Sequence, residues 1–154
     1  MKTTLIGMCM GVVSVIVFAS LNGSVTVESS EPSTDTRQRL VLEPAQRDKI
    51  LAEMRLMLGS MGGIVQGLAA GDLAAIEKAA RASGMVAAAD VDPQIEKLLP
   101  QQFLELGMQT HKGFDQLADR IKAGGTREDV LTGLARLTGN CVACHATYRL
   151  DETR

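Results

Sequence analysis

Cys141-Val142-Ala143-Cys144-His145 closes the last helical stretch of the chain, and these residue types at this spacing permit a specific covalent chemistry. Two thiols three residues apart can each form a thioether with a vinyl group of a porphyrin, while the adjacent imidazole reaches the iron as proximal ligand. In a chain with 3 cysteines and 2 histidines among 154 residues, the run arises by chance in about one sequence in a thousand of this composition. The reading is one covalent haem c per chain, attached through Cys141 and Cys144, with His145 on the iron.

Two other chemistries use the same residue types. A dithiol oxidoreductase wants its Cys-x-x-Cys at the opening of a helix within a βαβ unit, whereas this pair lies late in a helix of a chain that reads as all-α. A structural zinc site would have to draw on Cys141, Cys144, His111 and His145. Neighbouring residues on a helix point about 100° apart, so Cys144 and His145 are poorly placed to share one tetrahedral metal.

The motif needs a scaffold, and 154 residues allow a single domain preceded by a targeting segment. Residues 1–19 read as a secretory signal: Lys2, then an apolar run from Leu5 to Leu21 without an acid, and small-residue cleavage after Val17-Phe18-Ala19. The alternative is an uncleaved anchor, for which this run of 17 residues is short of the ~20 that cross a bilayer. Cys9 lies in the run and leaves with it. Loss of Lys2 takes the net charge from −2 to −3, which attracts no nucleic acid. Export suits the haem reading, because the two thiols left in the mature chain would otherwise oxidise to a disulfide outside the cytoplasm. The expected location is the periplasm, with no membrane attachment after cleavage.

Residues 20–43 are rich in Ser, Thr, Val and charge around Pro32 and read as a flexible leader. Residues 44–154 form the haem domain. Four helices are predicted there, with no strand-like alternation long enough to compete. The first starts at Pro44 and runs to about Ala70, and the second covers about 72–88. After breaks at Asp92-Pro93 and Pro100 the third covers about 101–123. Gly124-Gly125 ends it, Thr126 caps the fourth with Asp129 three residues on, and that helix runs to about Arg149. The expected fold is an all-α, antiparallel up-down-up-down four-helix bundle enclosing one haem.

The apolar pattern repeats every seven residues. In the first helix Ile50, Leu51 and Met54 recur as Met57, Leu58 and Met61, then as Ile64, Val65 and Leu68; in the fourth, Val130, Leu131 and Leu134 lead to Leu137, Thr138 and Cys141, then to Cys144, His145 and Tyr148. Such a repeat predicts a buried stripe with left-handed, coiled-coil-like packing, and it carries the haem motif inward. With no Trp, one Tyr and three Phe, one of them Phe18, few bulky side chains are left to fill the space a porphyrin would take. Short connections make neighbours antiparallel, so residues 47–54 and about 103–111 should stand at haem level. Gly59, Gly62, Gly63 and Gly67 interrupt the first helix at a cost of up to about 1 kcal/mol each, for which close helix approach is the available account.

The chain resembles the cytochrome c′ family over roughly residues 44–151. The resemblance rests on Cys141-Val142-Ala143-Cys144-His145-Ala146-Thr147-Tyr148-Arg149 and on Arg47 followed by Leu51. It implies that Arg149 lies beside the proximal face and that Arg47 approaches a haem propionate. It also bears on the sixth iron position. Six-coordinate, electron-transferring members carry a Met four residues after the first-helix Arg, and the gas-binding branch has an apolar residue there, as Leu51 is here. Leu51 implies a five-coordinate ferrous haem open to NO or CO, while Met54, one turn away, is the candidate distal iron ligand if the first helix shifts; otherwise it is core packing. Leu51 offers no acid-base group for a peroxidase. His111 is open to two readings, an iron or propionate partner or a satisfied core residue. The resemblance further implies periplasmic redox partner proteins, no substrate turnover, and a homodimer formed through the first two helices. Electron transfer is the expected role, with gas binding as the alternative.

Overall fold

A computed structural model describes residues 34–89 and 92–153. The signal segment and most of the leader lie outside the described residues. The elements run β1 (Gln38–Leu42), α1 (Pro44–Ala70), α2 (Leu73–Arg81), α3 (Met85–Ala88), α4 (Pro93–Glu96), α5 (Gln101–Lys122), α6 (Arg127–Thr147) and β2 (Tyr148–Glu152). The chain is mostly helical, with one small parallel strand pair. Among the described residues no helix is long and apolar enough to cross a membrane.

Local chemistry sets the helix limits. Pro44 occupies the first turn of α1, where its missing N–H is no loss, and Gln46 Oε1 accepts from the Glu43 N–H at 3.1 Å. Gly71 ends α1 in the left-handed region at φ 70°, after which Asp72 caps α2 by accepting from the Ala75 N–H at 2.9 Å. Thr126 and Asp129 cap α6 reciprocally.

α1 packs on α2, α2 on α5, and α5 on α6. Two glycines of α1 are explained by the first of these contacts. A Cβ at Gly63 would lie 2.9 Å from that of Ala79, and one at Gly67 would lie 2.6 Å from Ile76 Cγ1. Nothing stands within 4 Å of such a Cβ at Gly59 or Gly62, and no contact accounts for those two. The main core joins Ile64, Ile76, Phe114, Leu117, Val130 and Leu137. A second cluster, at the end holding the start of α1, gathers Leu42, Ile50 and Ile95 with Met54 and Phe103 against them.

Three expectations are corrected. The second helix does not run unbroken over 72–88: it opens at Ala82–Gly84, where Ser83 is buried and Asp115 of α5 takes both the Met85 N–H and Arg81 Nη1, each at 2.8 Å. The fourth helix stops at Thr147, short of Arg149. The leader assignment fails for its last residues, because Gln38–Leu42 pairs in parallel with Tyr148–Glu152, Leu40 facing Leu150, and buries Leu40 and Leu42. Five residues with two inward leucines carry too little alternation to stand out, and their partner is more than a hundred residues away.

The strand pair also fixes how α1 and α6 run. β1 enters α1 and β2 leaves α6, while at the far end Arg127 Nη1 of α6 donates to the Leu68 carbonyl of α1 at 3.4 Å. The two helices are therefore antiparallel neighbours, yet they approach each other far less closely than α1 and α2, α2 and α5, or α5 and α6 do.

Candidate haem site

The last two turns of α6 carry Cys141, Cys144 and His145. Cys141 and His145 are four residues apart and Cys144 three from Cys141, so all three lie within about one turn on adjoining faces. Both cysteines are half-buried and free of any disulfide, and His145 is exposed. Burial pushes both thiols above their ordinary value, and for Cys144 the neighbouring Cys141 adds to the effect. An oxidoreductase needs the opposite, a thiol lowered toward thiolate.

The helix end is tied down from several sides. The Tyr148 N–H donates to the Cys144 carbonyl, Thr147 Oγ1 donates to the Ala143 carbonyl at 2.8 Å, and Arg37 Nη1 donates to the His145 carbonyl at 3.2 Å. Tyr148 is buried, its ring edge-on to Phe103 at 5.4 Å and its hydroxyl donating to Gln102 Oε1 at 3.2 Å.

Across from this end stands the start of α1. Leu51 is half-buried there. Met54 packs against the second core cluster, the place its stripe position also predicts, and iron ligation would require withdrawing it from that cluster. Arg47 Nη1 pairs with Glu152 at 3.2 Å, but its Nε is buried with no hydrogen-bond partner. A surface groove of about 330 Å³ opens beside it, lined by Arg39, Arg47, Leu150, Asp151 and Glu152. Arg149 pairs with Asp35 at 3.7 Å and with Asp151 at 3.9 Å.

Part of the apolar stripe of α1 and α6 is exposed. Leu58 is 72% exposed, Val65 55% and Leu131 50%. Leu51, Leu58 and Val65 form one line at seven-residue spacing, on the flank of α1 turned away from Gly63, Gly67 and α2. Leu131, Thr138 and His145 form the corresponding line of α6, away from Gly133, where a Cβ would meet Leu117 of α5 at 2.9 Å. A flat apolar group attached to Cys141 and Cys144 would reach only the near end of these lines, at Leu51 and Thr138, since each line runs about 21 Å along its helix; Arg47, at the same end of α1, has its Nε without a hydrogen-bond partner. The residues present fit a haem.

His111 is elsewhere. It is buried in α5, with Nδ1 2.9 Å from the Ser83 carbonyl and Nε2 2.6 Å from Glu53 Oε1 of α1. Both ring nitrogens are engaged, which makes it a satisfied interior histidine. Among the described residues no group of three or more His, Cys, Asp or Glu is placed to hold a metal ion without a porphyrin. Arg37, Asp35 and Glu53 were not singled out by spacing. The one local signal for Arg37 is the Asp35-Thr36-Arg37 run before two inward leucines. No family model matches the chain, nor does any curated protein or solved structure.

Proposed function

We propose that the chain is an exported monohaem cytochrome of the cytochrome c′ kind, its helices forming an up-down-up-down bundle around one haem c in the α1–α6 seam. The observation that carries the reading is the Cys141-Val142-Ala143-Cys144-His145 run on the last turns of α6, with both thiols half-buried and outside any disulfide. Haem c, when bound, would cycle between ferrous and ferric iron and so carry one electron. The chain's own residues have distinct tasks. Cys141 and Cys144 would anchor the ring, His145 would supply the proximal nitrogen, Leu51 would help exclude water from one face, and Arg47 would offer its buried Nε–H to a propionate. Arg149, held by Asp35 and Asp151, lies just beyond the proximal histidine.

Electron transfer to periplasmic partner proteins is the primary role. Gas binding is the second reading, favoured by Leu51, a half-buried alkyl side chain that cannot ligate iron. The reduced protein, purified from a host that matures c-type cytochromes, decides between them by its absorption spectrum with and without CO. A broad high-spin band that shifts on adding CO supports the gas-binding form, and sharp low-spin bands insensitive to CO support the pure electron carrier. A colourless product with both thiols still titratable overturns the haem reading.

A further inference from the structure

The last turn of a helix leaves carbonyls without intrahelical partners, and in α6 those carbonyls belong to the haem motif itself. One of them, on His145, is met by Arg37, 108 positions earlier in the chain. The guanidinium arrives pre-oriented. Asp35 Oδ1 accepts from Arg37 Nε at 3.0 Å and from its backbone N–H at 3.1 Å, and Asp35 Oδ2 accepts from Nη2 at 2.6 Å. That fork leaves Nη1 to reach the His145 carbonyl. Immediately afterwards the chain enters β1, whose first residue pairs with Tyr148, the residue that ends α6. Leu40 and Leu42 bury their side chains, and the Thr153 N–H closes the far end on the Leu42 carbonyl at 3.1 Å. Arg39 pairs with Asp151 across the same strands.

From this geometry we infer that residues 35–42 are a latch on the cofactor end of α6, with Arg37 a positioning residue that caps the helix from outside and fixes the backbone of His145. This deepens the haem reading and rests on it for its consequence: the direction in which the imidazole leaves α6 is set by a segment that precedes the haem domain. Asp35 holds the latch. Its carboxyl lies far below the ordinary carboxylate range, chiefly through the hydrogen bonds from Arg37, so it stays charged across the physiological range. The groups facing Arg37 are Asp35 and the His145 carbonyl, with Arg149 and Asp151 just beyond. The contact is largely solvent-exposed and weakens with salt.

The test uses the full chain made without haem attachment, so that both thiols remain free, and follows iodoacetamide labelling of Cys141 and Cys144 by peptide mass. Arg37→Gln is expected to speed labelling about three- to tenfold, the ratio that a hydrogen bond of ordinary strength controls. Arg37→Lys is expected to restore most of the protection, and 0.5 M salt to narrow the gap. Arg39→Gln, which removes a strand-to-strand ion pair without touching His145, is the control. Equal rates for Arg37→Gln and the unaltered chain overturn the latch, and an equal acceleration by Arg39→Gln overturns the positioning role of Arg37. If Arg37→Gln fails to fold, Asp35→Asn, which releases the guanidinium that Asp35 orients, replaces it with the same acceleration expected. In the haem-loaded protein Arg37→Gln is expected to shift the iron–histidine stretching band, and an unmoved band overturns the positioning role. Failure of the unaltered chain to take up haem refutes the haem reading, while the labelling rates still judge the latch.

Discussion

His111 Nε2 and Glu53 Oε1 stand 2.6 Å apart in the interior and join α5 to α1, and His111 Nδ1 reaches the Ser83 carbonyl at the break between α2 and α3. Ser83 Oγ in turn meets Ser60 Oγ of α1 at 2.7 Å. His111 thus pins α1, α5 and the α2–α3 break together. Burial alone would lower the imidazole's pKa, but the Glu53 carboxylate and the Ser83 carbonyl outweigh it and the value stands above the usual 6.5.

A raised folded-state value means that the charged pair stabilises the fold fully below the unfolded-state value near 6.5, and that this contribution is lost as pH rises through the folded-state value. Urea unfolding at pH 6 and pH 9 should therefore show Glu53→Gln less stable than the unaltered protein by about 1–3 kcal/mol at pH 6, with a smaller gap at pH 9. A gap that widens at pH 9 refutes the assignment.

The glycines of α1 separate into two kinds. Gly67→Ala places a methyl against Ile76 Cγ1 and within 3.1 Å of the Asp72 carbonyl, and should cost about 1–3 kcal/mol. Gly62→Ala meets nothing within 4 Å and should stabilise α1 by up to about 1 kcal/mol. Opposite signs in thermal unfolding are the expected result.

Leu42 is 1% exposed although it lies in a segment that composition marks as a leader. Leu42→Ala should cost about 2–4 kcal/mol in denaturant unfolding, the loss typical of a buried leucine. A loss below half a kcal/mol, the range usual for a surface change, would mean that β1 is not docked in solution.

Leu51 and Met54 make contrasting predictions at the iron. Leu51→Met should convert a high-spin ferrous spectrum to a low-spin one and suppress CO uptake. Met54→Ala should leave the spectrum unchanged while lowering stability by about 2–3 kcal/mol through the second core cluster. A spectral change in Met54→Ala would identify Met54 as a ligand.

The long helices were legible because their caps and periodicity agree. Pro44 and Gly71 delimit α1, and Thr126 with Asp129 opens α6, where local rules place them. The helix under the motif was equally legible, but the repeat that was expected to carry the motif inward leaves His145 and Thr138 exposed and the two cysteines half-buried, because the heptad line through Leu131 lies at the edge of the face that Val130 and Leu137 bury. What escaped was non-local. Nothing around Gln38–Leu42 announces a partner at Tyr148–Glu152, and nothing near Gly84 reveals that Asp115 will take the Met85 N–H. The sevenfold repeat marked Leu58, Val65 and Leu131 as apolar stripe positions but did not say which line of the stripe its neighbours would leave open. His111 was recognisable as an interior histidine, and its partner Glu53, 58 residues earlier, was not.

The parallel pairing of β1 with β2 also constrains the order of events at birth. During synthesis Gln38–Leu42 emerges first and must wait until more than a hundred further residues have followed before the strand that completes it exists. Through that interval its backbone is an open edge, and the arginine at its second position makes it a poorer template for a neighbouring nascent chain.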